Sequence, residues 1–587
     1  MIAWLWVVLA GCGLNHLRRT QDLPPFVSKT GRHISVPVEV APGVSLDTHV
    51  QLPAGEGPWP TILIRYPYPI GVVLKQKCSL YARYGFACVW QSVRGRGQSD
   101  GEWYPFIHEQ RDGLVTIDWI LDQPWSNDRM AMLGESYLAS TQWLLSGALP
   151  EEVKTLVPTF FGMDMYHNLY VGGQFRHELL SPFMTLVPER RFRPLAGRSY
   201  KAALDHRPRR TMDAVATGET LPWFQQFLDV QEATAPYWSS PGVAEIQELP
   251  ERVRVPVLMI AGWSDAFLAT QLATWQRLAT RSESTLMIGP WNHLGAAVGD
   301  IPLENIDDEV GLADDYQQNR RTLDWLNHHL KDQPATFPVG ATVSYVVRDN
   351  RWAVRPAWPP PTTAQTWHLG AGDARGCDGV LLPEASSTPP LRYRYDPADP
   401  TPSLGGSGSL AAVIPTYRSY PEGFADQGDL CARPDLVGWR SAPLDAPLHI
   451  AGTVQAKLSV SSDAPDTTFN VRILEELADG VRVHVREGIR ALSFRDGDGE
   501  RVAYTPGETV SLTIETPPIE YVFQPGSRIL VQVSSASFPR FEAHTNTTAY
   551  WADATTLVVA EQILHLNDTT IVLPVVGGEA NSMAERP

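Results

Sequence analysis

Hydrophobic positions in the first half of the chain form short continuous runs with helical segments between them. Residues 32–53 alternate between polar and apolar side chains, as in an antiparallel hairpin. Continuous apolar runs follow at 61–65, 86–90, 130–133, 255–261 and 285–289. Strands that are apolar on both faces are typical of a parallel sheet covered by helices. The pattern therefore predicts an α/β domain over residues 31–149 and 246–335.

Two other stretches have different patterns. Residues 150–245 have no clear strand pattern and are rich in aromatic side chains and Arg, and such an insertion would lie over the carboxyl ends of the parallel strands. We interpret it as a helical cap. From 336 to 587 the chain has short alternating segments, such as 343–347, separated by Pro, Gly and Asp. This pattern predicts an all-β sandwich of the jelly-roll type.

A strand, a sharp turn and a helix follow one another at residues 129–148, with Ser136 at the turn. This layout is that of a nucleophile elbow, which projects a serine hydroxyl toward a base. The helix behind the turn aims free N–H groups at the reaction centre, so the N–H of Tyr137 is a candidate oxyanion donor. Leu138 replaces the second Gly of the usual G-x-S-x-G pattern. Taken alone, the motif is therefore more often an ordinary turn.

A catalytic serine needs a His base and a carboxylate that orients it, and both follow later predicted strands. Asp265 comes just after the run 255–261, and His293 just after 285–289. Each alone is more often a turn or structural residue, but the order Ser, Asp, His after core strands predicts a triad. Tyr68 follows an early strand and is a candidate second oxyanion donor. The alternative for Tyr68 is an aromatic packed before a Pro turn.

Composition excludes several classes of function. The chain has 587 residues, 43% of them hydrophobic and 19% charged, which indicates a globular protein of several domains. Its formal net charge of -17 argues against a nucleic-acid partner, because phosphate binding needs a basic face. There is no Cys/His cluster in the sequence, so we predict no metal site and no cofactor.

The first residues read as an export signal. An apolar run ends in Leu9-Ala10-Gly11-Cys12, which resembles a bacterial lipobox. We expect residues 1–30 to be a leader and linker, with Cys12 lipidated as a membrane tether. The alternative is a chance apolar leader on a cytoplasmic protein, since no Lys or Arg precedes the run. Cys377 and Cys431 could pair if the protein is exported, and Cys88 is interpreted as a core thiol.

Motifs spread over almost the whole chain resemble the cocaine-esterase-like (CocE/NonD) branch of the X-Pro dipeptidyl-peptidase hydrolase superfamily. They are Pro67-Tyr68, Arg94-Gly95, Gly134-x-Ser136-Tyr137-Leu138, Ala261-Gly262-Trp263-x-Asp265-x-Phe267, Gly289-Pro290-Trp291-x-His293, 395–406 and 532–539. The resemblance implies an α/β-hydrolase domain, a helical cap and a C-terminal jelly roll. It also implies the triad Ser136, Asp265 and His293, with Tyr68 and Tyr137 as the oxyanion hole. Ala139 and Ser92 depart from the family, which usually has Gly and an acidic residue there.

The predicted substrate pocket is apolar. Its candidate residues are Phe267, Trp291, Tyr170 of the cap and, by the resemblance, Leu404. For the cap aromatics, plain core packing is the alternative. Residues 165–176 and 266–276 contain no carboxylate, which disfavours recognition of a substrate ammonium group. The Arg and Lys residues between 190 and 210 are interpreted as a solvated helix face.

Three functions fit these observations. The first is a serine esterase or amidase that cleaves a small ester or amide through an acyl-enzyme. The second is an Xaa-Pro dipeptidyl peptidase. The third is a non-catalytic surface protein whose jelly roll binds a glycan. The ordered Ser, Asp and His favour the first two over the third.

Overall fold

The structure is a computed structural model that describes residues 14–188, 197–240, 242–297, 299, 318–407 and 421–577. The predicted lipidation site Cys12 lies outside these residues. In the described part of the chain, no helix is both long enough and apolar enough to cross a membrane.

The first half of the chain contains a ten-stranded sheet and a small hairpin. In chain order the strands are β1 (Thr30–Ala41), β2 (Val44–Pro53), β3 (Trp59–Tyr66), β4 (Ala87–Ser92), β5 (Ser126–Glu135), β6 (Val153–Thr159), β7 (Tyr170–Val171), β8 (Gln174–Phe175), β9 (Leu258–Ser264), β10 (Thr285–Asn292), β11 (Thr342–Val346) and β12 (Arg351–Arg355). The sheet order is β1-β2-β4-β3-β5-β6-β9-β10-β11-β12, and β7 pairs with β8. The strands from β4 to β11 in this order are mutually parallel. The predicted hairpin and the predicted α/β-hydrolase fold are confirmed.

Helices cover the sheet and build the cap. Those of the α/β domain are Leu14–Thr20, Gly71–Arg83, Glu109–Leu121, Tyr137–Trp143, Val243–Arg252, Leu268–Arg277 and Gln318–Lys331. Those between β6 and β9 that form the cap are Met165–Leu169, His177–Leu186, Gly197–Asp205, Met212–Thr217 and Pro222–Leu228. Pro222 occupies the first turn of its helix, where its missing N–H costs nothing.

Three strands belong to the first sheet although the sequence assigned their residues to other domains. Strand β6 is in the stretch predicted as cap, yet it lies between β5 and β9 in the parallel sheet. Strands β11 and β12 are in the stretch predicted as sandwich, yet they extend the first sheet beyond β10. The pattern of a segment predicts a strand but not its neighbour, because pairing depends on contacts between distant residues.

The C-terminal region is an all-β domain, as predicted. Its strands are β13 (Thr362–Asp373), β14 (Asp378–Leu382), β15 (Leu391–Tyr395), β16 (Val437–Arg440), β17 (Leu448–Gly452), β18 (Gln455–Ser462), β19 (Thr468–Glu476), β20 (Arg482–Ala491), β21 (Val510–Glu515), β22 (Ile519–Phe523), β23 (Arg528–Ser534), β24 (Ala560–Leu564) and β25 (Thr570–Val576). They belong to one network of thirteen paired strands.

Two disulfide bonds connect described residues. Cys377 pairs with Cys431, as the sequence allowed. Cys78 pairs with Cys88, so the interpretation of Cys88 as a free core thiol is wrong. The helix Gly71–Arg83 packs on β4, the strand that follows it, which places Cys78 over Cys88. This contact depends on how the helix docks and is invisible in the spacing of the cysteines.

A buried carboxylate joins the cap to the C-terminal domain. Glu542 accepts hydrogen bonds from His177 at 2.5 Å, Arg207 at 2.6 Å and Arg209 at 2.8 Å. Although burial disfavours the charged carboxylate, Arg207 and Arg209 hold the pKa of Glu542 well below its usual range. The interpretation of this basic stretch as a solvated face is therefore wrong for Arg207 and Arg209. Arg190, Arg191 and Arg193 lie outside the described residues.

We predict that Glu542→Gln destabilises the fold by about 3 kcal/mol, because it leaves buried guanidinium groups without a counter-charge. Because the folded pKa of Glu542 is depressed, its contribution is present above the unfolded pKa of about 4 and is lost as pH falls. The difference between the urea midpoints of wild type and variant should therefore become smaller as the pH is lowered. Glu561→Gln is the matched control, since it removes a carboxylate from an exposed pair with Arg392. A midpoint shift no larger than that of the control would contradict the prediction.

Candidate active site

Ser136 lies at the turn between strand β5 and the helix Tyr137–Trp143. Its backbone has φ 59° and ψ -126°, an unfavourable region for a residue other than glycine. The N–H of Ser136 donates to the carbonyl of Thr159 at 2.9 Å, which ties the turn to β6. A Cβ on Gly134 would come within 2.4 Å of the Leu138 side chain, so the first position of the motif must be glycine. The local geometry therefore stores strain around the serine, a common property of active sites.

Ser136, His293 and Asp265 form one hydrogen-bonded chain. Nε2 of His293 lies 2.9 Å from the Ser136 hydroxyl, and its Nδ1 lies 2.8 Å from Oδ1 of Asp265. The Asp265 and His293 side chains are 0% and 3% exposed, so bulk water does not compete for this bond. The structure thus brings together the three residues that the sequence placed after separate strands.

Two side chains from outside the central sheet hold the loop that carries Asp265. Arg176 of the cap donates to the carbonyl of Ala266 at 2.5 Å. Arg486 of the C-terminal domain donates to the carbonyl of Trp263 at 2.9 Å. The two carbonyls flank Asp265 in sequence. These contacts position the acid between two buried guanidinium groups from different parts of the chain.

The loop of His293 is fixed in a similar way. Oδ1 of Asn292 accepts the N–H groups of Leu294 and Ala296, which closes a tight turn around the histidine. Nδ2 of Asn292 donates to Glu422 of the C-terminal domain at 2.7 Å. The C-terminal domain therefore contacts both loops.

Tyr68 and Tyr137 lie on either side of the serine. The Tyr68 hydroxyl is within hydrogen-bond reach of Ser136, and burial raises the pKa of Tyr68 to about 12. The hydroxyl therefore keeps its proton and can donate well above neutral pH. The Tyr137 hydroxyl points away, since it donates to Glu109 at 2.8 Å. Tyr137 is the first residue of its helix, where backbone N–H groups have no partner inside the helix.

An apolar cavity of about 60 Å³ opens beside Ser136. Phe267 lines it, as predicted from the sequence motif. The other lining residues are Tyr68, Phe106, Tyr137, Phe161, Met165, Asn168, Leu169, Leu179, Leu180, Phe183 and Phe227. Apart from Tyr68 and Tyr137, sequence reasoning missed these residues, and most of them come from the cap. The positive φ of Phe106, 70°, is a backbone signal that no sequence pattern contains.

Three of the predicted pocket residues lie elsewhere in the described structure. Trp291 is fully buried; its ring packs over Gly289 and its backbone carbonyl lies against Gly262, and a side chain on either glycine would collide with it. Tyr170 is also buried, and its hydroxyl donates to the carbonyl of Phe227 at 2.8 Å. Leu404 packs against a small apolar cluster around the Cys377–Cys431 disulfide. None of the three lines the cavity beside Ser136.

Fold and site together define an α/β hydrolase with a helical cap and an appended β domain. A family model described as X-Pro dipeptidyl-peptidase (S15 family) matches residues 42–295. A second, described as the X-Pro dipeptidyl-peptidase C-terminal non-catalytic domain, matches residues 339–571. The chain is 29% identical to the cocaine esterase of Rhodococcus sp. over 551 residues, which covers 87% of this chain and 92% of the relative. The chain is therefore a serine hydrolase homologous to cocaine esterase, and its two parts match the catalytic and C-terminal models of the X-Pro dipeptidyl-peptidase family.

Solved structures show the same fold. An aminopeptidase from a marine sediment archaeon of the Thaumarchaeota superimposes with a TM-score of 0.79 at 21% identity, covering 94% of this chain and 98% of the other. An α-amino acid ester hydrolase superimposes with a TM-score of 0.78 at 21% identity and the same coverage. At this identity the likeness supports the fold and not the substrate.

Proposed function

We propose that the protein hydrolyses a small ester or amide through an acyl-enzyme intermediate on Ser136. The observation that carries the proposal is the buried chain from Asp265 through His293 to the Ser136 hydroxyl. Nε2 of His293 takes the serine proton as Oγ bonds to the acyl carbon. It then gives that proton to the leaving alcohol or amine as the bond to the leaving group breaks. Water repeats the two steps to release the acid.

Asp265 has the supporting role in this scheme. Its carboxylate accepts the Nδ1–H of His293, which leaves Nε2 unprotonated and facing the serine. When the imidazole takes the proton it becomes a cation, and the adjacent carboxylate stabilises it. Burial makes this stabilisation stronger than it would be in water.

We further propose that the Tyr68 hydroxyl and the Tyr137 N–H donate to the oxyanion. Negative charge develops on the substrate oxygen as the serine attacks, and donors placed beforehand stabilise it without reorganising. The protonated Tyr68 hydroxyl beside Ser136 supports this role.

We predict that Tyr68→Phe lowers kcat by about 10²- to 10³-fold with little change in KM, because an oxyanion donor acts mainly in the transition state. Steady-state kinetics on a 4-nitrophenyl ester measure both constants. The matched control is Tyr393→Phe, which removes a buried hydroxyl that bonds Ser535 in the C-terminal domain. If kcat of the Tyr68 variant stayed within the range of this control, the hydroxyl would have no catalytic role.

The cavity beside Ser136 favours an uncharged, apolar acyl group. Among the described residues that line it there is no carboxylate to hold a substrate ammonium group. Glu135, next to the nucleophile in sequence, is already paired with Lys77 at 2.5 Å. An Xaa-Pro dipeptidyl peptidase must accept a charged amino terminus, and an apolar wall cannot compensate its desolvation. The lining therefore favours an esterase or amidase over the peptidase.

A substrate panel tests this choice. The wild type is assayed with 4-nitrophenyl esters of acetate, butyrate and benzoate and with a Gly-Pro 4-nitroanilide. We expect kcat/KM to be higher for all three esters than for the dipeptide amide, even after correction for spontaneous hydrolysis. Faster cleavage of the Gly-Pro amide would overturn the proposed acyl group while leaving the serine mechanism intact.

We propose that the protein is exported and tethered through a lipidated Cys12. The lipobox-like sequence supports this proposal, as do the two disulfides, which form in oxidising compartments. Palmitate labelling of wild type and Cys12→Ser in a bacterial host tests it. Label in the membrane fraction of the wild type alone is expected, and unlabelled wild-type protein in the cytoplasm would contradict it.

A further inference from the structure

A second cavity of about 370 Å³ lies where the catalytic domain, the cap and the C-terminal domain meet. We call it the junction chamber. Trp263, Asp265 and Ala266 form one wall, so the chamber backs directly onto the loop of the catalytic acid. His484 and Arg486 of strand β20 also line the chamber. The chamber is larger and far more polar than the cavity beside Ser136, and nothing in the proposed reaction uses it.

His484 has no hydrogen-bond partner for either ring nitrogen within the described structure. The residue is only 1% exposed. Burial, with Arg540, Arg472 and Arg486 nearby, holds the pKa of His484 well below its usual range. The ring is therefore neutral and offers one donor and one acceptor. Buried polar groups are almost always hydrogen-bonded, so an unpartnered imidazole in a chamber indicates a site for a polar guest.

The charges around His484 indicate that this guest is an anion. Glu178 pairs with both Arg176 and Arg540, and Glu487 pairs with Arg472 and Arg540. Arg486 has no carboxylate partner in the described residues. Its guanidinium donates to the carbonyls of Pro518, Val485 and Trp263. Of the guanidinium groups around Glu178 and Glu487, that of Arg486 is therefore the one with no carboxylate partner in the described residues, and a buried cation without a counter-ion is costly.

The rest of the lining indicates which kind of anion fits the chamber. The other charged groups of the chamber also have partners, since His167 bonds Asp164 and Asp498, and Asp498 also bonds Arg490. Asp265 bonds His293, and Glu515 accepts a hydrogen bond from Gln455. Apolar surface from Leu268, Ala269, Ala273, Ile489 and Pro517 completes the chamber. An organic acid would place its carboxylate against the guanidinium groups and its hydrocarbon part against this surface.

We propose that the junction chamber is a binding site for a small organic carboxylate, held by Arg486 and His484. The carboxylate accepts hydrogen bonds from the neutral His484 ring and neutralises the excess charge around Arg486. Because Arg486 also bonds the carbonyl of Trp263, two residues before Asp265, an occupied chamber is coupled to the catalytic loop. That coupling rests on the proposed function, whereas binding itself does not.

Calorimetric titration with sodium benzoate tests the site. The enzyme is first treated with a fluorophosphonate, which fills the cavity beside Ser136 and removes product binding there. We expect saturable binding of one benzoate per chain, weakened at least about ten-fold in Arg486→Met and partly restored in Arg486→Lys. The matched control is Arg495→Met, because Arg495 also donates to three backbone carbonyls but lies away from the chamber. His484→Leu gives a second weakened variant if Arg486→Met does not fold.

Several outcomes would overturn the proposal. They are no binding to the treated enzyme, binding that neither variant weakens, and binding of inorganic phosphate with no binding of benzoate. If the fluorophosphonate fails to label Ser136, the proposed function is in error, and the untreated enzyme still tests the chamber through the Arg486 and His484 variants. The chamber proposal and the proposed function can therefore be refuted independently of each other.

Discussion

Ser136→Ala is expected to abolish ester hydrolysis, with kcat falling by about 10⁴- to 10⁶-fold. The variant loses the nucleophile, so no acyl-enzyme can form and any remaining rate comes from the oxyanion donors and from substrate binding. KM should change little, because the cavity is built from other side chains. Single-turnover kinetics with a 4-nitrophenyl ester, together with mass spectrometry of the trapped acyl-enzyme, measure the loss directly.

The control for this variant is Ser146→Ala. Ser146 is also buried shortly after the elbow, but its hydroxyl only donates to the carbonyl of Trp143. It should keep wild-type kcat. A fluorophosphonate that labels the Ser136→Ala protein as well as the wild type would show that another residue is the nucleophile. Retained hydrolysis in the variant would refute the proposed mechanism.

Asp265→Asn is the second large effect, with kcat expected to fall by about 10⁴-fold. The amide has the shape of the carboxylate, so the local structure is preserved. Its NH₂ group would donate to Nδ1 of His293, and the ring proton would move to Nε2. The histidine would then donate toward Ser136 at 2.9 Å instead of accepting its proton. It could no longer act as the base.

The neighbouring Ser264→Ala is the matched control for Asp265→Asn. Ser264 is buried at the end of β9, and its hydroxyl has no hydrogen-bond partner in the described residues. It tests whether any change in this loop reduces activity. We expect near-normal kcat for Ser264→Ala and, for Asp265→Asn, partial recovery at high pH where hydroxide replaces the general base. Equal losses in the two variants would mean that the loop matters and the carboxylate does not.

The C-terminal domain contacts the loops that carry Asp265 and His293. Glu422 bonds Asn292 beside His293, and Arg486 bonds the loop of Asp265. Arg176 of the cap holds the same loop from the other side. The proposed triad therefore lies on the sheet, and residues from all three parts of the chain contact its loops.

Most of the central sheet and the order of the candidate catalytic residues could be predicted because both follow from patterns within short segments of the sequence. Ser136 lies in a strand–turn–helix pattern, and Asp265 and His293 each follow a continuous apolar run. Parallel strands end at one edge of a sheet, so residues after those strands converge. This reasoning needs no knowledge of which side chains touch.

The lining of the cavity could not be predicted in this way. Trp291 is two residues from His293 and Leu404 lies in the 395–406 motif, but the Trp291 ring packs on Gly289 and Leu404 packs on the cluster around a disulfide. Phe161 and Leu179 line the cavity because of the path of the cap over the sheet. Aromatic and aliphatic residues look alike in a sequence whether they face a core or a cavity.

The sequence by itself determined five apolar runs that form core strands and the candidates Ser136, Asp265 and His293, since these depend on short-range periodicity and on position along the chain. Only the tertiary structure decided that β6, β11 and β12 join the first sheet, that Cys78 bonds Cys88, and that Arg176 and Arg486 flank the loop of Asp265. The physical reason is that these features arise from contacts between residues far apart in sequence. Packing chooses such partners among many that local patterns leave equally possible.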